Sequence, residues 1–269
     1  PNVVIEGARI GPGYDTGVAV TTTVLPSSSG CNARVTASEL VGNWYGIFAL
    51  GCGAGTGEVP TGLTVGGAGP ESGVLFEGMR HGGLGAGVLL WGCVARAHIR
   101  GATFRDGDIG VQIDQRTPPP GFPRGYETLV EGSSFRALRT AGVRLWRAPP
   151  AVHLEGNEFR AVEGPGVLLD DHGDVRSPEV HARRNRFSGP ALMVRGSHPF
   201  RGHIDLGSET DAGHNVFAFE DGRPWRPLVE LHVAVAAEAF TVAGNTWPTR
   251  HGAPGAGVIV SSAGVSGGR

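Results

Sequence analysis

Two sets of residues in this chain have the types and spacing for chemistry. The first closes a recurring run of the form Gly-Val-x-Leu: Trp91, Asp114, Trp146, Asp170 and Arg195, with His232 continuing the line. Indole rings give a sugar ring an apolar platform, while carboxylates and guanidiniums hold hydroxyls and uronate carboxylates. An exposed Trp is costly to leave in water, so this column reads as a groove for a sugar polymer. The bland alternative is that the long turns, such as Pro118 to Pro123 or Pro149-Pro150, fold over the rings.

The second set lies three and one residues before a repeated Gly: His98/Arg100, Leu129/Glu131, His153/Glu155 and His181/Arg183, with Leu75/Glu77 as a further copy. Residues two apart on a strand face the same side, so these form one polar strip. Such a strip has acid/base or metal-binding capacity. It is equally a solvated face on which Glu77–Arg100 and Glu155–Arg183 offset the stacking of like charges. His153 and His181 are close enough in the repeat to ligate together, whereas Leu129 separates them from His98.

The densest acidic cluster is Asp170-Asp171-His172-Gly173-Asp174. If the chain catalyses a reaction, Asp170, Asp171 and His172 are the acid and base candidates and Arg195 the neutralising cation. Oxygen ligands at Asp170, Asp171 and Asp174 suit calcium, and no other cofactor is expected. The same five residues also make a good polar turn. The Gly-rich runs His81-Gly82-Gly83 and Gly51 to Gly55 lack a strand-to-helix context, so phosphate binding is not expected there.

A degenerate repeat positions these residues. Ile5-Glu6-Gly7, Val130-Glu131-Gly132 and Leu154-Glu155-Gly156 are each followed three residues later by a bulky apolar side chain, Ile10, Phe135 or Phe159. A second Gly, ten positions after the first, opens a short strand such as Val143-Arg144-Leu145. Anchors fall at 7, 42, 78, 101, 132, 156, 184, 214 and 244, spaced 23 to 36 residues apart. A period of this size means one supersecondary unit stacked on the next. Val143 and Leu145 point inward and Arg144 and Trp146 outward, which is strand periodicity. The 46 Gly and 19 Pro punctuate these runs as turns.

Four turns share an Asn-x-aromatic pattern: Asn157-Glu158-Phe159, Asn185-Arg186-Phe187, Asn215-Val216-Phe217 and Asn245-Thr246-Trp247. They resemble the Asn-ladder turns of pectate-lyase-like and periplasmic copper-processing-type β-helix domains. That resemblance implies an all-β, single-stranded right-handed parallel β-helix, a solenoid of about nine rungs. At strand spacing it would be roughly 40 Å long. Asn at a tight bend tolerates a left-handed backbone and bonds its neighbours above and below. Phe104, Phe135, Phe159, Phe187, Phe217 and Trp247 then stack in the core, so both columns are structural. The vicinal acids beside His172 resemble the acidic-His stretch of alginate-epimerase-like enzymes, and polygalacturonase-like glycosidases pair carboxylates for acid and base work. The chain departs from these in having no Asn-Thr-Asp, Gly-His-Gly or Arg-Ile-Lys set.

Composition bounds the rest. One repeat running through 269 residues implies a single β-helix domain over 1–269, with a polar tail at 261–269. A net charge of −2 gives no general attraction to nucleic acid or membranes, and no apolar run is long enough to span a bilayer. All 23 basic residues are Arg, which removes every lysine-dependent mechanism. A start at Pro1 reads as a processed or trimmed form, and the fold class favours an extracellular, cell-surface or periplasmic location. Cys31, Cys52 and Cys93 allow at most one disulfide, with Cys31 and Cys52 the pair that flanks one repeat, and buried free thiols are the equal alternative.

The combined expectation is an exported protein with a non-catalytic role in binding or adhesion. A polysaccharide or cell-surface glycan would lie along Trp91, Asp114, Trp146, Asp170 and Arg195. Two alternatives stand beside it. One is a polysaccharide lyase, epimerase or hydrolase acting on an acidic glycan. The other is a filament subunit that self-associates head to tail, because neither end of the coil carries a capping helix.

Overall fold

The computed structural model describes residues 2–21, 32–51, 61–92, 94–115, 127–147, 151–160, 162–171, 178–219, 227–248 and 259–261. Within these, the chain winds through three all-parallel sheets of nine, eight and nine strands. Each rung contributes one strand to each sheet in turn, and each strand pairs with its equivalent one rung away. Strand Glu127–Glu131, for example, lies between Val94–Arg100 and Ala151–Glu155 in the first sheet. Ser134–Arg136 lies between Thr103–Arg105 and Glu158–Arg160 in the second. Ala141–Arg147 lies between Ile109–Gln115 and Val167–Asp171 in the third. The molecule is a parallel β-helix of about nine rungs, as its repeat predicts. The helical content of the described residues is two single 3₁₀ turns, Pro70–Ser72 and Ala237–Ala239.

Alternation along each strand fills the interior with apolar columns. Val88, Val111, Val143 and Val167 form one, and Leu90, Ile113, Leu145 and Leu169 another, all buried. Val65, Ile99, Val130 and Leu154 line the first sheet in the same way. At the second sheet the predicted aromatic column is present and begins one rung earlier, at Phe76. Successive rings from Phe76 through Phe104, Phe135, Phe159 and Phe187 lie 4.7–4.9 Å apart and within 8° of parallel. Phe217 and Trp247 continue the stack.

The asparagine column is also present, with a different backbone assignment. Asn157, Asn185 and Asn215 each donate from Nδ2 to the Oδ1 of the next Asn at 3.0, 3.0 and 2.9 Å. Each also donates to a main-chain carbonyl of the rung below, Val130, Leu154 or Ala182. The left-handed residue is the one before the Asn: Gly156, Arg184, His214 and Gly244 have φ of 51–70°. Bonding, not backbone tolerance, is therefore what the Asn supplies. Ser133 extends the ladder downward, its N–H bonded to Asn157 Oδ1 at 2.9 Å.

Two predicted anchors need correction. Gly42 and Gly78 sit at the corner after the second sheet, in line with Asp106 and Ala137, which also have positive φ. The first-corner equivalents in those rungs are Ala37 and the Gly66-Gly67 pair, since Glu6 pairs with Thr36 and Gly66 with Arg100. Leu75 and Glu77 consequently belong to the second sheet, opposite Thr103 and Arg105, and not to the His98/Arg100 strip.

Glycine at the start of the third strand faces the aromatic stack. A Cβ at Gly110 would lie 2.5 Å from Phe135 Cδ1 and 2.6 Å from the Gly142 carbonyl oxygen. Gly46, Gly87 and Gly142 meet Phe76, Phe104 and Phe159 in the same way. Gly110→Ala is expected to destabilise the fold by about 2–3 kcal/mol through overpacking, read as a lower midpoint in thermal or urea unfolding. Gly69→Ala, where nothing lies within 4 Å, is the neutral control.

Candidate functional site

The outer face of the third sheet does not form the single column that alternation implies. Trp91 and Asp114 are in register on adjacent rungs. A register shift after Ile113 then sets Asp114 opposite Arg147, so Trp146 drops out of line. Asp170 and Arg195 are again directly opposite. The predicted residues therefore fall into two groups, Trp91 with Asp114, and Trp146 with Asp170 and Arg195. Trp91 is 39% exposed, with the ring of Phe48 edge-on at 5.8 Å.

Arg144, not singled out in the sequence, holds the second group together. Its guanidinium carbon lies 3.8 Å from the ring centre of Trp146. Its Nη2 and Nε donate to Asp170 Oδ2 at 2.6 and 3.2 Å. Arg195 approaches the same carboxylate from the next rung, with Nε on Oδ1 at 2.9 Å and Nη2 on Oδ2 at 3.0 Å. Arg144 is only 4% exposed although it points away from the coil, and Leu89 and Leu168 in its column are buried too. This part of the face is buried. The signal for Arg144 was in the sequence. Its column reads Phe48, Leu89, Gln112, Arg144, Leu168, Met193 and Glu230, and a charge set among buried Leu89 and Leu168 requires a partner.

The electrostatics of this triad argue for positioning over proton transfer. Burial pushes Asp170 upward, but the bonds from Arg195 and Arg144 outweigh it and hold the carboxyl below its ordinary value. Burial lowers Arg144, partly offset by Asp170, while the bond to Asp170 raises Arg195. A carboxylate with both oxygens taken by guanidiniums is a poor general acid or base. Those bonds leave Arg195, 48% exposed, fixed at the surface. Gln112 Oε1, on the rung beside Arg144, is buried with no hydrogen-bond partner. The Asp171 side chain, His172, Asp174, the proline turns and the three cysteines lie outside the described residues.

The first sheet assembles the second predicted strip. His98, Leu129, His153 and His181 share one register line and Arg100, Glu131, Glu155 and Arg183 the next. His153 and His181 stack at 4.8 Å with planes 9° apart, and Leu129 does separate them from His98. The ion pairs differ from those predicted. His98 and Arg100 both reach Glu131 Oε2, at 3.2 and 3.3 Å. Glu77 pairs with Arg105, and Glu155 with Arg184. Arg183 binds Asp205 at 2.6 Å and Asp211 at 2.7 Å. Asp205, missed in the sequence, also takes His181 Nδ1 at 3.3 Å, Thr241 Oγ1 and the Gly207 N–H. Burial pushes Asp205 up, but the bonds from Arg183, Thr241 and Gly207 hold it down at about 2.

Among the described residues no group of three or more His, Cys, Asp or Glu is placed to hold a metal ion. An open cleft of about 510 Å³ lies away from both predicted sites, where the second sheet meets the Pro70–Ser72 turn, lined by Glu39, Glu71, Leu75, Thr103 and Arg105. No helix among the described residues is long and apolar enough to cross a membrane. No family model matches the chain, and neither a curated protein nor a solved structure does.

Two predictions follow from these charges. Asp170→Asn leaves Arg144 buried without its counter-charge and is expected to cost about 3–5 kcal/mol, measured by urea unfolding. Acid should destabilise the fold in two windows. Burial and then the neighbouring His181 hold His153 below the usual imidazole range. The unfolded chain therefore takes up that proton more readily, and stability falls as pH drops below about 6.5. Asp205 contributes about 2 kcal/mol that is present above about pH 4 and lost as pH falls toward 2. Melting temperature against pH checks both, with His153→Gln flattening the upper limb and Asp205→Asn the lower.

Proposed function

We propose that this chain is an exported, non-catalytic β-helix that binds a glycan along the outer face of its third sheet. One observation carries the reading. Asp170 fixes Arg195 at the surface on the same face as the open indole of Trp91. The ring offers its apolar face to a pyranose, and the guanidinium offers hydrogen bonds to hydroxyls or to a uronate carboxylate. Asp114 stands in register with Trp91 on the next rung. Asp170 serves as the anchor of Arg195, so the same geometry that favours binding disfavours acid–base cleavage by this carboxylate.

The test is a panel of soluble neutral and acidic glycans titrated against the intact chain, Trp91→Ala and Arg195→Gln. At least one glycan should bind, and Trp91→Ala should weaken it at least tenfold, about 1.4 kcal/mol, with little change in melting temperature. Polymer length and the ultraviolet absorbance of the mixture should stay constant. Shortened chains or unsaturated ends would establish the lyase, epimerase or hydrolase reading instead. Head-to-tail stacking of copies predicts a sedimentation coefficient that rises with protein concentration in the absence of any glycan, where a glycan binder keeps the size of one chain.

A further inference from the structure

We infer that the corner between the second and third sheets, on the first three rungs, binds an organic cation of the trimethylammonium type, seated on the open face of Trp44 beside Asp15. Three of the seven large apolar side chains exposed among the described residues, Tyr14, Trp44 and Leu84, fall on this one corner. They stand on consecutive rungs. The Trp44 N–H donates to the Tyr14 carbonyl at 3.2 Å, and the Ala86 N–H to the Trp44 carbonyl at 3.0 Å. Apolar side chains gathered in water in this way mark a contact site.

The two faces of the indole differ. His81, from the next rung, stacks on one of them at 4.0 Å with planes 26° apart. A buried carboxylate holds His81 there. Asp108 is only 1% exposed, and its Oδ2 accepts the N–H groups of His81, Gly83 and Gly85 at 2.8, 3.0 and 3.2 Å. Thr140 Oγ1 ties the same loop through the Gly83 carbonyl at 2.9 Å. Asp108 Oδ1 is buried without a hydrogen-bond partner, so this clamp carries a desolvation cost. What it secures is an imidazole packed behind Trp44, which fixes the indole before any ligand arrives.

The other face looks toward the first rung, where the residue in line with Trp44 is Asp15. Thr16 pairs with Tyr45, and the Tyr45 N–H donates to the Asp15 carbonyl at 2.9 Å. Asp15 is exposed, and its carboxylate makes no ion pair among the described residues. Arg80 is turned to the following rung, where its Nε donates to the Asp106 carbonyl at 3.0 Å. An indole is the best π face for a cation, and a carboxylate one rung away adds the counter-charge. Quaternary ammonium groups are the cations that aromatic faces recognise in this way, and Tyr14 and Leu84, on either side of Trp44, supply apolar surface for the methyl groups. The site uses neither Trp91 nor Arg195, so it is independent of the glycan reading.

The experiment titrates choline into the intact chain and follows the indole N–H signals by NMR. Comparison ligands are the uncharged alcohol in which carbon replaces the choline nitrogen, and a blocked peptide carrying one trimethyllysine. Trp44→Leu keeps apolar bulk at the corner and removes the π face, and Asp15→Asn removes the charge. Both change exposed side chains and should keep the melting temperature of the parent. Expected results are saturable binding of choline, about tenfold weaker binding of the alcohol and of choline to Trp44→Leu, and a loss of about threefold in Asp15→Asn. Trp91→Ala should bind as the parent does. Tighter binding of the peptide than of choline assigns the cation to a side chain of a protein partner, and the reverse order assigns it to a free small molecule. Equal affinity for choline and the alcohol would reduce the corner to a merely apolar contact and overturn the inference. So would unchanged affinity in Trp44→Leu, or failure of the parent chain to bind either cation.

Discussion

The stack of aromatic rings at the second sheet is the contact on which the rest of the coil depends. Each rung adds one ring, and the 4.7–4.9 Å interval of the stack is also the strand spacing of a hydrogen-bonded sheet. The ring fills the corner so completely that the residue across from it, at the start of the third strand, has no room for a Cβ. Gly46, Gly87, Gly110, Gly142 and Gly166 are the consequence, and their carbonyls and rings interlock from one rung to the next. Ala191 takes the glycine place one rung later, since Leu192 pairs with Val167. There the ring interval opens to 5.3 Å, between Phe187 and Phe217. The spacing of the stack and the size of the residue facing it change together.

A coil held from inside in this way leaves its outer faces free to differ. Among the described residues the inward columns carry no charged side chain and are apolar but for buried Thr128, so charge lies at outward positions and at corners. Any outward column repeats one position at strand spacing, and a run of like charges would repel itself. The chain meets this in two ways. On the first sheet, Glu131 takes both His98 and Arg100, and Asp205 gathers Arg183, His181 and Thr241 around one carboxylate. On the third sheet, Asp170 lies between two arginines under cover, with Arg144 packed on the face of Trp146. Arg105, Arg136 and Arg160, exposed in one column of the second sheet, are the exception, with Glu158 shared between two rungs.

Much of this was legible in the sequence. Asn157, Asn185, Asn215 and Asn245, and the aromatic rings two residues after each, mark the rungs because a repeated bond and a repeated ring each tolerate little substitution. The register in early rungs was harder to read, since both corners of the coil require a left-handed residue and Gly meets that need at either. Gly42 and Gly78 are therefore indistinguishable by type from first-corner glycines, and the ion-pair partners inferred from them shifted by one sheet. Trp146 left its column because a register shift of one residue reverses no residue type and leaves no mark on alternation. The arginine column was invisible for a related reason. Its members follow the core phenylalanines, while the repeat was indexed on glycines.

The architecture itself constrains what kind of ligand these faces suit. A half-exposed guanidinium or indole in water contributes little on its own, and exposed ion pairs are worth about 0–1 kcal/mol each. A solenoid presents the same weak contact at a fixed interval along its axis, so a ligand with a matching repeat engages several at once, the later contacts forming intramolecularly after the first. A compact ligand gains no such advantage from a flat sheet, whereas an extended polymer does, and its affinity grows with the number of rungs it spans. Rigidity set by the buried aromatic stack keeps that interval constant from Phe76 to Phe187. The same packing that excludes a methyl group at Gly110 thereby sets the interval at which every outward column repeats.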